Sequence, residues 1–347
     1  MTTAYHVDPL TDPRWPNLLD HHRRSTVFHS SAWLEALRRT YGYRAVALTT
    51  SPPGRSLENA LVLCHVKSWL TGRRLVSVPF ADHCTPLVDS AEDLDCLLSR
   101  VKTEYGGARK RYIELRSVDG PLQNRAGFAE SSRFFLHRLD LRPSLDALMQ
   151  RLHPSCIRRR LIRAMREKFV YEEGRTEPIL RNFYQLALLT RRRQNLPPQP
   201  LAWFRNLISC LGEHLKIRLL FHSGQPAAGI LTIRYQRTMI YKYGFSDARY
   251  HRLGSMQLLL WKAIEEAKKE GLTEFDMGRS DLTNDGLARF KDRWGCSRSL
   301  LTHLCYPAER LRLDPDDRKV RIARLLFGLA PDRVLVTAGN LLYRHMA

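Results

Sequence analysis

A strand-like run, Phe275-Asp276-Met277-Gly278-Arg279-Ser280-Asp281, is followed a few residues later by Phe290-Lys291-Asp292-Arg293-Trp294-Gly295. Together they concentrate the residue types with which this chain can do polar chemistry. Asp276 can orient an amine or accept its proton. Arg279 or Asp281 can grip a polar substrate, and Lys291 brings a cation on an adjoining short helix. Gly278 permits close backbone approach. Polar groups fixed at the carboxyl end of a strand mark the places where sites form in open α/β sheets. Each residue also has a plainer reading. Asp276 can cap the next turn, Arg279 and Asp281 can pair with each other, and Lys291 can be a solvated helix lysine.

The elements that must position these groups follow from periodicity. Lys242, in the strand Tyr241–Tyr243, faces a central cleft on one alternation and solvent on the other. Arg252-Leu253-Gly254-Ser255 precedes a helix over 255–269 whose inner face is Met256, Leu260, Ile264 and Ala267. Backbone N–H groups at such a start can hold an anion, and Ser255 can equally be a simple N-cap. Ahead of that helix a meander is expected over 216–221, 227–235 and 238–243. Behind it come a strand over 273–277, a short helix over 286–293 and a last strand over 300–306.

The first half repeats the order. A helix over 31–40 capped by Ser31 is followed by strands at 44–49, 57–66 and 74–79, an amphipathic helix over 91–105, and strands at 112–115 and 134–139. The joining region holds helices over 145–152, 155–168, 179–192 and 201–214, with a strand near 170–172. An α+β tandem of one repeated unit accounts for this order better than one large domain. The expected boundaries are 1–140, 141–307 and a basic, apolar helical tail over 308–347.

Composition limits the partners. The chain has 347 residues, with 56 Lys+Arg against 35 Asp+Glu, a formal net charge of +21. A field of that sign favours polyanions such as RNA, phosphorylated substrates or anionic lipid headgroups. Arg158-Arg159-Arg160 with Arg163, Arg166 and Lys168 spans more than one helical face. It suits an RNA backbone or a diphosphate carrier, or is a solvated helix. Seven scattered cysteines without a Cys-x-x-Cys pair match a reducing compartment. Residues 1–8 have neither the basic nor the apolar region of a signal peptide, and no run approaches a membrane span, so a cytoplasmic location is expected. His83-Cys84 lacks further spaced ligands, and no metal is expected. The tail either docks on its own domain or lies on an anionic membrane at the inner face of the cell membrane.

The order of residues 216–305 resembles the GNAT acyl-CoA N-acyltransferase fold. Tyr241-Lys242-Tyr243-Gly244-Phe245-Ser246-Asp247, Trp261-Lys262-Ala263-Ile264, Phe275-Asp276-Met277-Gly278 and Phe290-Lys291-x-x-Trp294-Gly295 are similar to the Fem-type branch. Phe28-His29-Ser30-Ser31-Ala32-Trp33 and the basic helix over 155–164 resemble further elements of it. The resemblance implies tandem GNAT-like domains and transfer of an acyl or aminoacyl group to an amine of a cell-envelope or polysaccharide precursor. The activated donor would be acyl-CoA or aminoacyl-tRNA, with no permanently bound cofactor. It implies that Lys291 faces the donor and stabilises the developing anion, with Asp276 beside it. Phe290, Trp294, Lys242, Tyr243, Arg279, Asp281, Arg158 and Arg159 would then contact substrate. Arg252, Gly254 and Ser255 would stand where GNAT proteins hold the diphosphate of CoA. The helix over 31–40 offers Arg38 and Arg39 where established Fem enzymes carry a lysine for the muropeptide. Two other classes stand beside this one: an inactive membrane-associated scaffold and an RNA-binding GNAT tandem.

Overall fold

The computed structural model describes residues 3–69, 72–106, 111–118, 127–283, 285–307, 327–328 and 330–345. The chain divides into two units: Met1–Phe134 with Leu300–Leu313 and Leu341–Ala347, and Phe135–Ser299 with Asp314–Asn340.

In the first unit, strands β1 (Tyr5–Val7), β2 (Arg44–Thr49), β3 (Leu61–Ser68), β4 (Gly72–Val76) and β5 (Arg111–Val118) lie in that order. The strand Ser297–Tyr306, β12 below, pairs antiparallel with β5 from Leu301↔Val118 to Tyr306↔Ile113. Strands β4 and β5 run parallel, from Arg73↔Arg111 to Val76↔Glu114. Helices α1 (Trp15–His21), α2 (Ser31–Tyr41) and α3 (Ala91–Tyr105) flank this sheet. Ser30, rather than Ser31, caps α2 by accepting the N–H of Trp33. Ser90 caps α3 in the same way, and Leu94, Leu97, Leu98 and Val101 pack on Leu61, Leu63, Leu75, Ile113 and Leu115. The sequence reading missed β1 and α1. The first is three residues long and the second seven, both too short for periodicity to register.

The second unit has the order β6 (Ala129–Asp140), β11 (Glu274–Asp281), β10 (Thr238–Ser246), β9 (Gln225–Tyr235), β8 (Leu215–His222) and β7 (Phe169–Gly174). Strands β7 to β10 form an antiparallel meander, and β10 and β11 run parallel. Its helices are α4 (Leu145–Arg151), α5 (Arg159–Arg166), α6 (Glu177–Arg193), α7 (Leu201–Leu211), α8 (Ser255–Lys269), α9 (Asp285–Asp292) and α10 (Asp332–Leu342). The single helix expected over 155–168 is a π-helical turn, Pro154–Arg158, running into α5. Helix α8 buries Leu258, Leu259, Leu260, Trp261, Ala263, Ile264 and Ala267 in one core with Met239, Phe275, Met277 and Trp294. Each fully buried Leu or Ile there is worth about 1.5–3 kcal/mol against exposure. That face is wider than the expected one, and Met256 lies only half-buried.

Most of the tail, including 308–326, lies outside the described residues. Where described, α10 starts after Pro331, buries Leu335, and presses Gly339 against the backbone of Pro198 within its own unit. Among the described residues no helix is long and apolar enough to cross a membrane. None of the seven cysteines is joined in a disulfide.

Candidate functional site

Strands β10 and β11 pair at Thr238↔Glu274, Met239↔Phe275 and Ile240↔Asp276, and their ladder stops there. At the same level the β9–β10 register slips between Tyr241 and Tyr243, leaving Lys242 as the bulged residue. A bulge bends its strand and re-aims the side chain, so simple alternation does not decide where Lys242 points. Its Nζ lies 5.7 Å from the centre of the Tyr243 ring. Tyr243 is fixed in turn by Trp203, whose indole N–H donates to its hydroxyl at 2.9 Å.

Beyond the last pair, β11 carries the motif. Asp276 is buried, and its Oδ1 accepts the N–H of Gly278 at 2.7 Å, which fixes the backbone where Gly278 takes φ 71° within the strand. Lys291 reaches back from α9 and is only 3% exposed. Its Nζ donates to the carbonyls of Gly278 at 2.9 Å and Arg279 at 2.7 Å. Burying an ammonium is costly unless hydrogen bonds and neighbouring dipoles compensate, and the two carbonyls supply part of that. Phe290 packs edge-on against the fully buried Trp294, with ring centres 6.3 Å apart. The end of α9 is tied to the α4–α5 connection, where His153 N–H donates to the carbonyl of Arg293.

Two residues here escaped the sequence reading. His137, on β6, is fully buried; its Nε2 lies 2.6 Å from Ser280 Oγ and its Nδ1 3.5 Å from Asp292 Oδ1. It thus bridges β11 and α9, the two elements that meet at Lys291. Burial, reinforced by the Lys291 charge, holds its imidazole down to about 4, so the ring is neutral at neutral pH. The available signal was a histidine following the apolar run Phe134-Phe135-Leu136 in a strand-like stretch. Asp292 is itself held below the usual carboxylate range by its hydrogen bond with Arg298.

The structure thus gathers Asp276, Lys291, Phe290, Trp294 and the backbone of Arg279 at one strand end, with Asp281 exposed just beyond. Lys242 and Tyr243 lie on the neighbouring strand. Arg252, Gly254 and Ser255 lie at the start of α8, a different element. There α5 packs so closely that a Cβ on Gly254 would run into the carbonyl of Arg160, and Ser255 is 1% exposed with its Oγ unpartnered. Arg158 and Arg159 lie on the outer side of the α5 region, half-buried and exposed respectively. Among the described residues no group of three or more His, Cys, Asp or Glu is placed to hold a metal ion.

Comparison with known proteins agrees with this fold. Residues 156–292 match the acetyltransferase (GNAT) domain family. Among solved structures, FemX superimposes with a TM-score of 0.66 at 14% identity, covering 87% of this chain and 97% of FemX. L-PGS from Bacillus licheniformis gives 0.55 at 13% identity, covering 95% and 98%. A tandem GNAT protein from the clavulanic acid biosynthesis pathway gives 0.55 at 11%, covering 89% and 100%. No curated protein matches the chain in sequence. Residues 156–292 thus match a GNAT acetyltransferase domain, and the chain has the tandem GNAT-like fold that it shares with FemX.

Proposed function

We propose that the protein transfers an acyl or aminoacyl group from an activated donor to an amine of a cell-envelope or polysaccharide precursor. The observation that carries this is the Lys291 ammonium, buried and held against the end of β11 where the β10–β11 ladder stops. The amine nitrogen attacks the donor carbonyl carbon, and a new C–N bond forms. The C–O bond of an aminoacyl ester, or the C–S bond of a thioester, breaks. The departing oxygen or sulfur leaves with its electron pair and takes up a proton. Negative charge develops on the carbonyl oxygen and then on the leaving atom. A fixed cation in a water-poor setting stabilises such charge far better than water does. In this scheme Asp276 shapes the turn that presents the Gly278 and Arg279 carbonyls to Lys291. Lys242, Tyr243 and Phe290 would contact substrate, and the fully buried Trp294 supports Phe290 from beneath.

The donor is acyl-CoA or aminoacyl-tRNA. The burial of Ser255 and Gln257, with α5 packed against Gly254, weighs against a CoA diphosphate held at the start of α8, where its N–H groups would otherwise serve. The test is mass spectrometry of a pool of amine metabolites incubated with the protein and, in parallel, with charged tRNA or acyl-CoA. A product in one arm that disappears with Lys291→Met supports the assignment and names the donor. Product formation unchanged by Lys291→Met removes Lys291 from the chemistry, and the lack of product in both arms removes the transfer reading.

A further inference from the structure

The outer face of Pro154–Val170 takes no part in the site described above. Within it the π-helical turn and α5 bury only Ile157, Leu161 and Ala164, spaced i, i+4, i+7, which join the core formed with α8. The remaining α5 side chains Arg159, Arg160, Ile162, Arg163, Met165 and Arg166 are exposed. Ile162 is 41% exposed, Met165 49% and, at the start of β7, Val170 59%. Six cations stand in this segment against one acid, Glu167, which is already bound to Arg163 at 3.2 Å. The face is shallowly concave along Arg158, Arg159, Ile162, Arg163 and Arg166.

Uncompensated arginines and bare aliphatic side chains share one surface here, and each limits what covers it. An RNA backbone would use the cations but gains nothing from exposed Ile, Met and Val. Single-stranded RNA platforms stack bases on aromatics, and this segment has only the half-buried Phe169. An apolar protein partner would leave the cations unpaired. A lipid bilayer rich in anionic headgroups uses both, because aliphatic side chains enter the acyl boundary while guanidinium groups bind phosphates above it. We propose that the Pro154–Val170 face docks the protein on an anionic membrane surface. This does not depend on the transfer chemistry.

The experiment is co-sedimentation of the full chain with phosphatidylglycerol/phosphatidylcholine vesicles and with pure phosphatidylcholine vesicles, and filter binding to unfractionated tRNA. Binding is expected to the anionic vesicles only. The triple variant Arg159→Glu/Arg163→Glu/Arg166→Glu should lower that partition by more than about tenfold. The variant Ile162→Ser/Met165→Ser, which keeps every charge, should lower it by about fivefold. Because all five side chains are exposed, circular dichroism should match the parent for both variants. The proposal is overturned by failure to bind anionic vesicles, or by full vesicle binding in the Ile162/Met165 variant. It is overturned equally if the arginine variant loses tRNA binding while its vesicle binding is untouched.

Discussion

Each unit contains a parallel strand pair, β4–β5 in the first and β10–β11 in the second, and the two pairs are finished differently. In the first unit the space beyond the β4–β5 ladder is filled by the chain's own loop. Ser77 N–H donates to the carbonyl of Glu114, Cys84 N–H to that of Arg116, and Arg116 N–H to Ser77 Oγ. The Arg116 guanidinium then bonds the carbonyls of Val78 and Ala81 and pairs with the buried Glu114 at 3.0 Å. Val78 and Phe80 sit at φ 44° and 58°, a conformation that non-glycine residues adopt only when surrounding contacts enforce it. In the second unit the ladder stops at Ile240 and Asp276, and the cation at the strand end, Lys291, comes from a separate helix. A cation bonded to its own plug is structural. One delivered to a strand end from a neighbouring helix fits the transfer chemistry proposed above. The two units thus share a parallel strand pair and differ in which element supplies the cation at its end, and the proposed transfer chemistry is assigned to the second.

The strongest way to break this contrast is to remove the two cations in turn. Arg116→Ala should cost about 3–5 kcal/mol, because it leaves Glu114 charged and buried among the carbonyls that the guanidinium satisfied. Thermal unfolding and hydrogen exchange should place that loss in the first unit. A variant with unchanged melting would show that the plug is not what Arg116 holds. Lys291→Met should instead lower turnover by about 10²–10³-fold, equivalent to roughly 2.7–4 kcal/mol of transition-state stabilisation. Its fold should lose a smaller 1–3 kcal/mol, on the order expected for two stranded carbonyls. If the two variants had the same ratio of activity loss to stability loss, the division of labour between the units would be wrong.

A finer probe compares two left-handed glycines. Gly42, ending α2, has φ 71° and nothing within 4 Å of where a Cβ would stand. Gly254, ahead of α8, has φ 79° and faces the Arg160 carbonyl and Ala164. Gly42→Ala should cost about 1 kcal/mol, from backbone conformation alone. Gly254→Ala should cost about 2–3 kcal/mol, because α5 must also give way. Equal costs by chemical denaturation would mean that α5 does not seal the start of α8.

Much of this was legible in the sequence, and what was missed has a common cause. The order α8, β11, α9 and the apolar stripe of α3 are local, periodic signals, and both stand in the structure at nearly the expected bounds. The tandem GNAT-like fold was legible from motif order. The seal around Arg116 was not, because its bonds join Ser77–Cys84 to a strand more than thirty residues later and no periodicity encodes them. His137 was hidden for the same reason: its partners, Ser280 and Asp292, lie some 140 to 155 residues away. The burial of Lys291 was unreadable too, since a lysine on an amphipathic helix ordinarily faces water. Bulging at Lys242 defeated the alternation argument outright. That Asp276 and Lys291 belong to neighbouring elements was visible; how these groups are held depended on long-range bonds.

The last comparison uses one buried histidine from each unit. His29 is held at about 4 by burial, as His137 is, against 6.5 for a free side chain. Both rings are neutral in the fold down to that value, whereas the unfolded chain takes up a proton near 6.5. Between the two values the unfolded state binds more protons, so stability present above pH 6.5 is lost as pH falls toward 4. At pH 5 the loss is about 2 kcal/mol for each histidine. The local consequences differ. His29 Nδ1 accepts the N–H of Thr26 while Nε2–H donates to the Thr85 carbonyl, so a second proton on the ring removes an existing bond. At His137 a proton on Nδ1 meets the Asp292 carboxylate, although Lys291 opposes the added charge. His29→Gln should therefore flatten the acid slope of the first unit more than His137→Gln flattens that of the second, as read by hydrogen exchange between pH 7 and 5. Proton NMR titration of both rings gives the direct check. A ring titrating near 6.5 in the folded protein would show that its neutral, buried state contributes nothing to the difference between the units.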